Sequence, residues 1–155
     1  MDLKTIMEKM NRMFMLHRYY IYKAATKNGL YIGQLPILEQ VHDCETCTQK
    51  ELSEHLGVSA PSIATSVKRM QKAGLIEKTH DSEDLRRTLI HLTKKGKELS
   101  ELCRKDFDQI DQKMFRGFSE EECSTLSNFV ERMQHNLEEE KLTPSQIHAV
   151  VHHRK

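Results

Sequence analysis

A mainly helical α+β chain, with one β-hairpin set between helices, is what three features of the sequence predict. Apolar residues recur at helical spacing over most of its length. Around Thr48 to Pro61 two helix-start signals flank a glycine, which marks two short helices joined by a tight turn. The stretch from Leu75 to Leu92 alternates apolar and polar residues on both sides of a polar tip. At 155 residues, 37% of them hydrophobic, the chain suits one compact unit with a modest core rather than a disordered one.

The elements follow in order. Ile6, Met10, Met13, Phe14, Ile21 and Ala24 form a stripe on one long helix from about Leu3 to Lys27, closed by Asn28-Gly29. A second helix, Ile32 to His42, tolerates Pro36 because it lies in the first turn, and His42 to Cys47 reads as a loop. Thr48-Gln49-Lys50-Glu51 is a capping box that opens a helix to Leu56. Gly57 ends it, and Ser59 stands where it can cap the next helix, with Pro61 in the first turn. There Ile63, Val67 and Met70 share one face, opposite Pro61, Thr65, Lys68 and Lys72, with Ser62, Ser66 and Arg69 on a flank. After the hairpin, Thr93 can cap a helix from about Lys94 to Phe115, with Leu99, Leu102, Phe107, Ile110 and Met114 as candidate buried positions. Ser119 to Glu122 is a second capping box, opening a helix through Leu126, Phe129, Val130, Met133 and Leu137, and Thr143-Pro144-Ser145-Gln146 announces one more.

Charge is unevenly placed although the net value is only +1. From Ser59 to Ala73 there are Lys68, Arg69 and Lys72 and no acid, whereas the C-terminal part carries two glutamate triplets. A polyanion would therefore dock at the middle of the chain. Short hydroxyl side chains on the outward face of a helix let it enter the major groove of double-stranded DNA, where Ser59, Ser62, Thr65 and Ser66 can meet base edges. Lys68, Arg69 and Lys72 suit phosphates, and a basic hairpin tip, Arg86-Arg87, suits the adjoining minor groove. No apolar run approaches the roughly 20 residues needed to cross a bilayer, and the first residues are amphipathic, so a cytoplasmic protein without a membrane partner is expected.

These residues carry a resemblance. Thr48 to Leu99 resembles the winged-helix domain of the MarR family of transcription regulators, most specifically in Asp84-x-Arg86 followed by Leu92-Thr93 and Gly96. The resemblance implies a winged helix-turn-helix with a two-stranded wing and long terminal dimerisation helices. It divides one compact chain into a dimerisation helix over 1–29, a DNA-binding lobe over 30–97 and further dimerisation helices over 98–155. Ser59 to Lys72 then looks like the recognition helix, Arg86 like the wing arginine and Asp84 like its support, by an ion pair or hydrogen bond. Leu85 departs from the polar residue common at its position. A homodimer on an inverted-repeat operator, acting as a repressor, is the implied function.

The signal is less legible. Cys44-Glu45-Thr46-Cys47 is a candidate thiol sensor, because Cys47 precedes a helix N-terminus whose dipole favours a thiolate; half a zinc site and inert loop thiols are the alternatives. Cys103 and Cys123 fit helical core positions. Met13, His17, Tyr20 and Tyr31 are candidate lining for a small aromatic effector, and His148 and His152 could share a metal or simply face water. No cofactor is required. A dithiol redox enzyme lacks the βαβ setting such pairs usually occupy, and a winged-helix module for protein contacts fits poorly with an acid-free face.

Overall fold

The computed structural model describes residues 2–82, 84, 86–138 and 142; the expected helix after Thr143 and the pair His148 and His152 lie outside them. Helix α1 spans Leu3–Lys27, capped by Asp2, whose Oδ1 accepts from the Thr5 N–H at 2.7 Å. Only its C-terminal end packs: Ala25 is buried and Ile21, Tyr22 and Ala24 lean on the core, whereas Met7, Met13 and Phe14 are exposed. A 3-10 turn over Ile32–Gln34 leads into α2, Leu35–Cys44. Sequence spacing places Ile32 in the α-helix, but Pro36 has no N–H to offer its carbonyl, so the α-helical ladder starts later. The helix also runs two residues past His42, through what the sequence marks as loop.

Helices α3, Gln49–Leu56, and α4, Ala60–Lys72, meet at Gly57, which takes the left-handed conformation at φ 60°. Strands β1, Ile76–His80, and β2, Thr88–Leu92, form an antiparallel hairpin with Ile76 opposite Leu92 and His80 opposite Thr88. Cys47 joins the far side of β2: its N–H donates to Ile90 O at 3.0 Å and its carbonyl accepts from Ile90 N–H at 2.7 Å. Around this framework Leu38, Val41, Leu52, Ile63, Val67, Met70 and Ile90 close one core.

Helix α5, Lys94–Met114, turns Gly96, Ser100, Cys103 and Phe107 inward. Leu102 and Met114, expected to be buried, are exposed, because the face toward α2 and the hairpin is the 96, 100, 103, 107 row and Leu102 lies roughly 100° around from Cys103. Helix α6, Glu120–Leu137, opens with the expected box, Glu122 N–H to Ser119 Oγ at 3.2 Å and Ser119 N–H to Glu122 Oε2 at 2.8 Å. It buries no residue at all. Cys123 is only half-buried, unlike Cys103.

Candidate nucleic-acid interface and effector groove

The helix-turn-helix is held by local bonds. Thr48 Oγ1 accepts from Glu51 N–H at 3.2 Å, and Glu51 Oε2 accepts from Thr48 N–H at 2.7 Å. These bonds hold the Glu51 carboxyl below the usual range. Ser53 Oγ donates to Val58 O across the turn at 2.6 Å. On α4 the buried row is Ile63, Val67 and Met70, while Pro61, Ser62, Thr65, Lys68, Arg69 and Lys72 are exposed and Ser66 is half-buried. Ser59 occupies the cap position without making a cap bond; its hydroxyl donates instead to Ser62 Oγ at 2.9 Å. Thr65 donates to Pro61 O at 2.9 Å, so its hydroxyl offers a partner lone pairs and its methyl group rather than a free proton. No carboxylate among the described residues pairs with Lys68, Arg69 or Lys72.

Asp84 shapes the wing through the backbone. Its Oδ1 accepts from Arg86 N–H at 3.0 Å and its carbonyl from Arg87 N–H at 2.9 Å. Arg86 is exposed. Arg87, expected beside it as a groove contact, turns back: its guanidinium lies 3.4 Å from Glu51 Oε1 and 3.5 Å from Asp81 Oδ2. One carboxylate, Glu51, thus both starts α3 and holds the base of the wing. Sequence reading missed this task because the capping box already explained Glu51.

A groove of about 1110 Å³ runs between α1 and α5. Met13, His17 and Tyr20 line it, joined by Leu16, Ile110 and Met114. Lys23, Lys27, Lys113 and Arg116 add positive charge that sequence reading did not single out. His17 Nε2 meets Asp111 Oδ1 at 2.8 Å, tying α1 to α5, and Lys113 Nζ lies 5.4 Å from the Tyr20 ring centroid. Tyr31 is not part of the groove. It caps the 3-10 turn, its N–H bonded to Gln34 Oε1 at 3.2 Å, and its side chain is 73% exposed.

The cysteine expectation is reversed for Cys47. Burial first, then the neighbouring Cys44 and Glu51, push its thiol up to about 12, so no thiolate is favoured there at neutral pH. Its place in the sheet bridge outweighs the dipole of α3, whose start Glu51 already serves. Cys44 is exposed and accepts from Gln40 Nε2 at 2.7 Å. Between the two, Glu45 sits at φ 61° and ψ −48°, and Thr46 N–H reaches back to Cys44 O at 2.6 Å, the geometry of a strained γ-turn. No three of His, Cys, Asp or Glu among the described residues stand where they could hold a metal, so zinc at Cys44 and Cys47 gains no ligand set.

The sequence signature of the MarR family matches residues 30–88. The HTH-type transcriptional regulator YcgE of Bacillus subtilis is 30% identical over 118 residues, 76% of each chain. The chain belongs to the MarR family. It is a transcriptional regulator built on a DNA-binding winged helix, not an enzyme. A second relative, the HTH-type transcriptional regulator YdgJ of Bacillus subtilis, is 24% identical over 109 residues, 70% of this chain and 66% of its own length. The MarR-like fold recurs in Streptococcus pneumoniae FabT, solved in complex with DNA, with TM-score 0.74 at 22% identity over 88% of this chain and 98% of that one. In MarR terms α3 and α4 are the helix-turn-helix and β1–β2 is the wing. No helix among the described residues is long and apolar enough to cross a membrane.

Proposed function

We propose that this chain is a homodimeric repressor that binds an inverted-repeat operator in double-stranded DNA and is released by an effector. The observation that carries the reading is α4: its apolar row is sealed in the core while an acid-free face of Pro61, Ser62, Thr65, Lys68, Arg69 and Lys72 stands exposed, with Ser59 at its start and Ser66 on the flank. Arg86 at the wing is the second contact, and Arg87 and Asp84 hold that wing in place. Homodimerisation would cover the apolar residues that α1 and α6 leave exposed, among them Phe14, Phe129 and Met133. Two recognition helices about one turn of DNA apart, roughly 10 base pairs, then call for an inverted repeat.

The effector reading follows from the groove between α1 and α5. An apolar floor of Met13, Leu16 and Ile110 beside Lys23, Lys113 and Arg116 suits a small amphipathic anion such as an aromatic carboxylate, whose ring lies on the floor and whose charge meets the lysines. Binding there would shift α5 against α1, and a coupling of about 1–3 kcal/mol loosens operator binding by roughly 5- to 150-fold.

Fluorescence anisotropy on a duplex selected from random DNA tests both parts. Tight binding whose affinity falls steeply with salt, and which a panel of aromatic carboxylates weakens, is expected. Salt-insensitive or absent DNA binding by a folded dimer would leave the winged helix as a protein-contact module instead.

A further inference from the structure

The turn that follows α4, Ala73 to Leu75, lies against the first turn of α5, and the approach is too close for a side chain. A Cβ built on Gly96 would lie 2.0 Å from the carbonyl oxygen of Leu75 and 3.0 Å from its carbonyl carbon, so α5 abuts the backbone of the turn that follows α4. Hydrogen bonds fasten the same place. The Thr93 hydroxyl donates to Gly74 O at 2.6 Å and accepts from Gly96 N–H at 3.0 Å. The Thr93 N–H donates to Leu75 O at 3.1 Å, and Lys95 Nζ donates to Ala73 O at 2.8 Å.

Ala73 is the C-cap of α4, and the carbonyls at a helix C-terminus have no donors within their own helix. Here two of the carbonyls just beyond α4, those of Ala73 and Gly74, receive theirs from the side chains of Lys95 in α5 and of Thr93, its N-cap. At its other end α5 lines the groove through Ile110, Lys113 and Met114. One continuous helix therefore grips the end of the recognition helix with its first turn and meets α1 with its last. Over its 21 residues, at about 1.5 Å per residue, a tilt of only a few degrees moves one end by roughly 2 Å relative to the other.

We propose that Thr93, Lys95 and Gly96 are positioning residues that set the angle of the recognition helix to α5, so that the half-site spacing a dimer accepts is fixed at this clasp, away from any residue facing DNA. The inference rests on the DNA-binding reading above. It also names the point where a displacement of α5 would reach α4.

The test uses a duplex that the unaltered chain selects from random DNA, resynthesised with its half-sites moved apart or together in steps of one base pair. Affinity is read by anisotropy for the unaltered chain, Thr93→Val, Thr93→Ser and Lys95→Met, with dimer mass and circular dichroism alongside. The unaltered chain is expected to prefer one spacing, and Thr93→Val to flatten or move that optimum by a change of roughly two- to tenfold, the size of a net hydrogen bond. The salt slope should stay the same, since the phosphate contacts are retained. Thr93→Ser, which keeps the hydroxyl, should restore the optimum, and Lys95→Met should move it less and in the same direction.

Variants that weaken binding equally at every spacing would make the clasp a stabilising contact only and overturn the proposal. An unaltered chain indifferent to spacing would overturn it as well. If Thr93→Val fails to fold, Lys95→Met decides, since it removes one bond made by an exposed side chain: a moved optimum supports the proposal and an unmoved one defeats it. Failure of the unaltered chain to select any duplex would defeat the DNA-binding reading itself, and this inference with it.

Discussion

Helices α4 and α6 are both amphipathic, of 13 and 18 residues, yet α4 buries Ile63, Val67 and Met70 while α6 leaves Phe129 51% and Leu137 81% exposed. The difference lies in what surrounds them. Around α4 are α3, β1 and the 3-10 turn, elements brought together by a core that one chain completes. Helix α6 follows the long α5 out of that core, and among the described residues nothing buries its stripe. An apolar stripe declares which face will be covered. It does not say by which molecule.

The sharpest way to break this contrast is a charge on α6. Phe129→Glu should leave the winged lobe folded but place an unpaired carboxylate in the face assigned to the partner, a penalty of about 3–5 kcal/mol. Light scattering is expected to report a mass near that of one 18.1 kDa chain instead of a dimer, with operator binding lost in step. A variant that stays dimeric would move the dimer interface away from α6.

The matching change on α4 is Met70→Ala, which should cost roughly 2–5 kcal/mol of folding stability in urea titration, because the cavity opens in a core the chain completes by itself. It should leave the dimeric mass of the folded protein unchanged.

The wing offers a smaller contrast between neighbours. Arg86→Ala is expected to weaken operator binding by about 1–3 kcal/mol with an unaltered melting curve. Arg87→Ala removes ion pairs to Glu51 and Asp81 that are half-exposed, so it should cost no more than about 1 kcal/mol of stability and loosen the wing. Equal effects on binding and none on stability would return Arg87 to the DNA face.

The last contrast is a pH dependence, nil at neutral pH and growing only in alkali. The Cys47 thiol is pushed from 9.0 up to about 12 on folding, so its contribution is fully present below about pH 9 and is lost as pH rises toward 12, where the unfolded chain ionises first. Cys47→Ala should make the alkaline fall in stability shallower. In the native protein a maleimide should label exposed Cys44 quickly and Cys47 slowly at neutral pH. Fast labelling of both would contradict the burial of Cys47.

Several features were legible in the residues because their causes are local. The capping boxes at Thr48 and Ser119 and the left-handed Gly57 each depend on partners within a few positions. The hairpin followed from its alternation, whereas its register, Thr88 opposite His80, came from the structure. The buried row of α4 followed from spacing alone. The groove was half legible: Met13, His17 and Tyr20 sit on α1 at helical spacing, but the cations of α5 that face them are some ninety positions on, as His17 and Asp111 show at a separation of 94.

What the sequence by itself determined, then, is the order of the described elements, the bounds of most of them though not of α2, and which face of α4 is apolar, all set by spacing and bonds within a turn or two of the chain. Tertiary structure decided the rest. Arg87 went to Glu51, 36 positions away, instead of to the wing tip; Cys47 became a buried sheet residue with a reluctant thiol; Gly96 met the backbone of Leu75. Each of these outcomes depends on the desolvation and close approach of groups distant along the chain, and only packing sets those distances.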